Sequence, residues 1–216
     1  MQLNHFIISQ KPVGKARRDI ANIISQATGL EAHFSGVPKM MYQIGGWTIE
    51  RDGTLKSPEI DFANLSILKT VIGAISSQGI EFEGYLNFEI SDDEFSDSQQ
   101  SNLKNVLQRK EYLINKALGV DFEIVFGESI QFNRFRATSN LTVLLSYIHF
   151  VHRMIDHARN ISKASSKPKP VLNEKYEFRC FLLRLGFIGD EYKDDRKILL
   201  SNLNGNSAFK NGCQKP

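Results

Sequence analysis

Apolar residues recur every third or fourth position in some stretches of this chain and every second position in others. Those two periods predict helices and strands respectively. Leu3–Ile8 is apolar and β-branched and reads as a strand, followed by a loop over Gln10–Gly14 that holds Pro12. Lys15–Thr28 places Ala16, Ile20, Ile23, Ile24 and Ala27 on one helical face, and Gly29 is positioned to end that helix. Glu31–Phe34 reads as a short strand. Met40–Ile44 and Trp47–Arg51 flank Gly45-Gly46 as a hairpin, and Asp52-Gly53 turns the chain into Thr54-Leu55. Asn64–Gln78 is the next helix, lined by Leu65, Leu68, Ile72 and Ile75.

The second half repeats this plan. Tyr85–Ile90 alternates as a strand, and the acidic stretch Ser91–Asp97 follows it. Ser98–Leu118 carries a helical stripe of Leu103, Val106, Leu107, Lys110, Leu113, Ile114 and Ala117. Phe122–Phe126 and Ile130–Phe135 are strands joined by Gly127-Glu128-Ser129. Thr138 or Ser139 is placed to cap a long helix running to about Ser162. Lys163–Pro170 (KASSKPKP) reads as a linker. Asn173 then caps a helix through Leu185, and Asp190 opens a second one to about Leu203. The expectation is an α+β fold: two small β-α-β-β-(β)-α modules over 1–80 and 81–162, a linker over 163–172, and a C-terminal helical hairpin over 173–216.

Composition constrains the class. The chain has 216 residues, 41% of them hydrophobic, which is enough for a packed core. No apolar run reaches the ~20 residues of a membrane span, and Met1–Lys15 lacks the order of a signal peptide, so a soluble protein of the cytoplasm is expected. Cys180 and Cys213 make neither a disulfide framework nor a four-ligand zinc cage. The net charge of +3 conceals segregation. Residues 81–97 hold seven acidic and no basic side chains, whereas 98–170 hold eleven basic and five acidic ones. Such blocks point to a partner for one of the two surfaces.

The basic block supplies candidate nucleic-acid or partner contacts: Lys104, Arg109, Lys110, Arg134, Arg136, Arg153, Arg159 and Lys163, with His149, His152 and His157. His149, His152, Arg153, Asp156, His157 and Asn160 share one face of their helix, opposite Val151, Met154 and Ile155. Clustered Lys and Arg release counter-ions from phosphates, which is the sequence-independent part of nucleic-acid affinity. The acidic loop, Asp92, Asp93, Glu94 and Asp97, is the other candidate surface and would suit a basic partner; it lacks the glycine and terminal glutamate of a calcium loop. The histidine face has no recognised zinc spacing, so neither metal nor cofactor is expected. No phosphate-loop, dinucleotide, nucleophile-elbow or H-E-x-x-H motif occurs, and the reading leans against an enzyme. His152 with Asp156 is the pair that a nuclease reading would use. DNA reading by the C-terminal hairpin is disfavoured, because Asp190-Glu191 at the start of its second helix would repel phosphate.

Two segments carry a likeness. Tyr176-Glu177-Phe178-Arg179-Cys180-Phe181-Leu182-Leu183-Arg184-Leu185-Gly186-Phe187-Ile188-Gly189-Asp190-Glu191-Tyr192-Lys193, continuing to Gly212, and Tyr42–Ile49 with Asp52-Gly53-Thr54-Leu55, resemble a family of short proteins of phages and conjugative elements of Gram-positive bacteria, often labelled "virulence-related protein". The two matches bracket the chain, and the middle matches by general pattern alone. The resemblance brings no catalytic residue with it. It implies a mobile-element setting in which counter-defence factors, type II-A anti-CRISPR proteins among them, are common. The function expected on that ground is inhibition of a Cas9 effector by binding the effector or its guide RNA. The alternatives are a DNA- or RNA-binding accessory protein of the element and a guide-RNA nuclease. Oligomeric state is left open.

Overall fold

The computed structural model describes residues 5–91 and 95–208. It is α+β, with six helices and nine antiparallel strands among the described residues. The chain forms two compact units, each drawn from separated segments. The first takes residues 1–94 and 123–144; the second takes 95–122 and 145–216.

The first unit is the sheet. Its strands are β1 (His5–Val13), β2 (Ala32–Ser35), β3 (Met41–Ile44), β4 (Trp47–Ile49), β5 (Leu55–Lys56), β6 (Ile60–Asp61), β7 (Glu81–Ser91), β8 (Glu123–Phe126) and β9 (Ser129–Arg136). They lie in the order β2-β3-β4-β5-β1-β7-β9-β8, with β6 also paired to β1. Helices α1 (Arg17–Thr28) and α2 (Ser66–Ser77) complete the unit and pack on each other. Alternate residues face the core: Phe6 and Ile8 from β1, Leu86, Phe88 and Ile90 from β7, Ile130 and Phe132 from β9. Phe88 meets Phe135 edge-on at 5.0 Å between ring centres, and Phe6 lies 4.4 Å from Phe62.

Two expectations change here, and one local irregularity appears. The supposed modules 1–80 and 81–162 are not separate, because β1 and β7 pair along most of their length and join both halves in one sheet. The loop expected at Gln10–Gly14 is strand as far as Val13. Its Pro12 lies beyond Ser9 and Gln10, the residues of β1 that pair with β5, and proline in a sheet is tolerated where one side of the strand carries no partner strand. In β9, strict alternation from Ile130 and Phe132 would turn Arg134 inward. A register shift lets Phe135 take the core position instead, with Arg134 at φ 69° and its N–H donated to Asn87 Oδ1.

The second unit is helical: α3 (Asp97–Leu118), the greater part of α4 (Leu141–Asn160), α5 (Glu174–Arg184) and α6 (Lys193–Leu199). Ser96 and Gln99 close α3 with reciprocal side-chain caps, and Gly119 ends it. The cap of α4 is Asn140 rather than Thr138 or Ser139: its Oδ1 accepts from the N–H groups of Thr142 and Val143. Ser139 donates to Glu81 instead. Asn173 caps α5 as expected from sequence. The segment 161–172 has no regular structure, yet its start is fastened. Buried Asn102 of α3 donates to the carbonyls of Ala158 and Ile161 and accepts from the N–H of Ala164; Asn105 donates to the Ala164 carbonyl. The expected linker is therefore pinned along α3 at its N-terminal end.

Candidate nucleic-acid interface

Three helices of the second unit repeat one local pattern. An apolar residue that helps to fill the core is followed, one turn on, by a cation at the edge of that buried stripe. On α3 it is Val106 with Arg109 and Lys110; on α5 it is Phe181 with Arg184. At the end of α4 the order inverts, His157 preceding Ile161 by four. With Lys163, Ala164 and Ser165 these residues line a cleft of about 180 Å³. Arg109, Lys110 and His157 are half-buried, while Lys163 and Arg184 are exposed at its rim. Lys163 reaches the rim because Asn102 and Asn105 hold the backbone of the next residue, Ala164.

The electrostatics are unbalanced. Burial pushes the Lys110 ammonium below its ordinary pKa; Glu177 opposes this, while Arg184 and Arg109 add to it. Burial likewise lowers His157, with Arg184 contributing. The Nε of Arg109 is buried without a hydrogen-bond partner. Among the described residues none of the five cationic groups lies within 4 Å of a carboxylate. Lys110 stands 5.8 Å from the centre of the Phe181 ring, which is only 4% exposed. The cleft thus offers positive charge and no aromatic face for a base.

Four residues of the basic surface expected from sequence meet here: Arg109, Lys110, His157 and Lys163. The others lie elsewhere. Lys104 is exposed on α3, and Arg159 stacks over Phe95 at 4.7 Å. Arg134 and Arg136 belong to β9 of the sheet unit, where Arg134 lies 3.6 Å from Glu123. Asp97 opens α3; Asp92, Asp93 and Glu94 fall outside the described residues.

Two other residues of the histidine face of α4, His149 and Arg153, contact the C-terminal segment at Tyr192 and Asp195. Asp195 of α6 is 5% exposed and accepts from the Ser146 hydroxyl at 2.7 Å, with His149 Nδ1 2.9 Å from its second oxygen. His149 meets the Tyr192 ring edge-on, and Arg153 lies over that ring and donates to its hydroxyl. His152 Nε2 is 3.6 Å from Asp156, and burial holds its pKa below the usual value. Sequence reasoning missed Arg184, Ser146 and Asp195. Arg184 follows the core residue Phe181 by three, and that spacing was its available signal. Asp195 stood in the acidic run Asp194-Asp195, where nothing distinguishes the buried member from the exposed one.

Among the described residues no group of three or more His, Cys, Asp or Glu is disposed to hold a metal ion, and no helix is long and apolar enough to cross a membrane. No protein-family model matches this chain, and no curated protein matches it.

Proposed function

We propose that this chain is a non-enzymatic nucleic-acid-binding protein of the bacterial cytoplasm that engages phosphate through the basic cleft of its helical unit. Its target in this reading is the guide RNA of a Cas9-type effector, whose activity it inhibits. The observation that carries the binding step is the convergence of Arg109, Lys110, His157, Lys163 and Arg184 on one cavity, with no carboxylate within 4 Å of them among the described residues. The choice of guide RNA rests on the likeness of 42–55 and 176–212 to mobile-element proteins. The cleft has charge but no exposed ring to stack on, so binding is of the backbone type, weak in sequence preference and strong in salt dependence.

The test is a mobility shift with guide RNA and with an unrelated RNA of equal length at two salt concentrations, followed by a Cas9 cleavage assay. Binding to both RNAs is expected, and the Arg109→Gln, Arg184→Gln double variant should lower the slope of log K against log salt by about 1.4, at ~0.7 per phosphate contact. No shift at low salt sinks the binding reading. Binding without any effect on cleavage or guide loading leaves a DNA- or RNA-binding accessory role and removes the Cas9 one. Shortened RNA after incubation would instead establish a nuclease, for which His152 and Asp156 are the first residues to change.

A further inference from the structure

Three cations elsewhere in the helical unit meet acceptors. Lys116 meets Glu174 at 2.6 Å, Arg153 faces Asp156 and the Tyr192 hydroxyl, and Arg196 donates to the carbonyls of Phe187 and Gly189. The cleft differs from these three sites. It gathers two arginines and two lysines with a histidine around about 180 Å³, and leaves a buried guanidinium nitrogen of Arg109 without an acceptor. Crowding like charges raises the free energy of the folded chain unless an anion enters; burial lowers the Lys110 pKa first, and Arg184 and Arg109 add to that lowering.

The anion can be specified further. An internal phosphodiester carries a single negative charge, whereas a terminal phosphomonoester carries about −1.5 to −2 at neutral pH and presents three acceptor oxygens. Four permanent or near-permanent positive charges in one cavity are more than an internal phosphate balances. The volume is also below the roughly 300–1,000 Å³ of pockets that enclose a drug-sized ligand, so the cleft matches a phosphate group more closely than a fully enclosed nucleotide. A groove that tracked a strand would spread its cations along a line; here α3, α4, α5 and the segment after α4 contribute theirs to the lining of one cavity.

We propose that the cleft is an end-recognition pocket for the terminal phosphomonoester of an oligonucleotide. This assignment rests on the nucleic-acid reading above and narrows it from backbone to chain end. The experiment compares one internally labelled RNA of about twelve nucleotides in three forms, with hydroxyl ends, with a 5′-phosphate and with a 3′-phosphate, binding the full-length protein at physiological salt. At least one phosphorylated form is expected to bind tenfold or more tightly than the hydroxyl form. Arg184→Gln and, separately, the surface change Lys163→Gln should each reduce that preference while circular dichroism stays unchanged. Equal affinity for all three forms overturns end recognition and leaves nucleic-acid binding standing. No binding of any form, even at low salt, overturns both. A free nucleoside monophosphate that competes as well as the phosphorylated oligonucleotide overturns the assignment to a chain end, since a small phosphate ester would then be the ligand.

Discussion

Asp195 illustrates how much a single buried charge organises. Its carboxylate is nearly enclosed and is satisfied by Ser146 and His149, both on α4. Removing it deletes the contacts that Ser146 and His149 make to a buried charge, and hydrogen bonds to charged groups contribute about 1.5–3 kcal/mol each. Asp195→Ala should therefore lower unfolding free energy by about 2–3 kcal/mol in urea titration; a loss under 0.5 kcal/mol would contradict this account. His157 makes a second prediction, in pH. Its folded pKa lies below the ordinary value, through burial first and Arg184 second. Arg109, Lys110, Lys163 and Arg184 surround the same cleft, so every charged group lining it opposes protonation of the ring. On acidification the unfolded chain takes the proton first, at about pH 6.5, and stability falls from there towards the lower folded value. The urea midpoint should drop between pH 7.5 and 5.5, and His157→Gln should reduce that drop; an unchanged pH dependence would refute it.

At the scale of elements, the segment after α4 shows how composition and structure diverge. Lys163–Pro170 has the small, basic and proline content of a linker, and it has no regular structure. Its start nevertheless lies fixed along α3: Asn102 accepts from the N–H of Ala164 and donates to the carbonyls of Ala158 and Ile161 just before the segment, and Asn105 donates to the Ala164 carbonyl. Asparagine suits this position because one side chain both donates and accepts, which the mixed carbonyls and N–H of 158–164 require. Trypsin offers a direct test. Lys167 and Lys169 precede prolines and resist cleavage, so Lys163-Ala164 is the susceptible bond in this stretch. Asn102→Ala should accelerate cleavage there by at least several-fold under native conditions, and an unaltered rate would show that Asn102 does not hold the segment.

At the scale of the molecule, neither unit is continuous in sequence. The chain leaves the sheet after β7 to form α3, returns for β8 and β9, and leaves again along α4. Each unit's core therefore depends on long-range closure. A chain ending at Leu144 keeps the whole sheet unit but strips α3 of α4, α5 and α6, baring Leu103, Leu113, Ile114 and Ala117, which are buried in the full protein. That truncated chain should self-associate in sedimentation velocity. Replacing 95–122 within it by about twelve Gly/Ser residues, a flexible span, should return it to a monomer with a strand-rich circular dichroism spectrum. Persistent aggregation of the second form would mean that the sheet unit does not stand alone.

Local periodicity was enough to foresee the α+β class, α1, α2, α3 and α5, the Gly45-Gly46 hairpin and the caps at Asn173 and Gly29, because each depends on residues within a turn or two of one another. The charge blocks were equally plain in sequence. Tertiary structure alone decided the rest: the union of both halves through β1 and β7, the burial of Asp195 rather than Asp194, and which cations meet. Arg109 and Arg184 are 75 positions apart, and no spacing rule connects them. They share a cleft because α3 and α5 each bury an apolar face in the same core, and that packing carries the cations at the edges of those faces to one place.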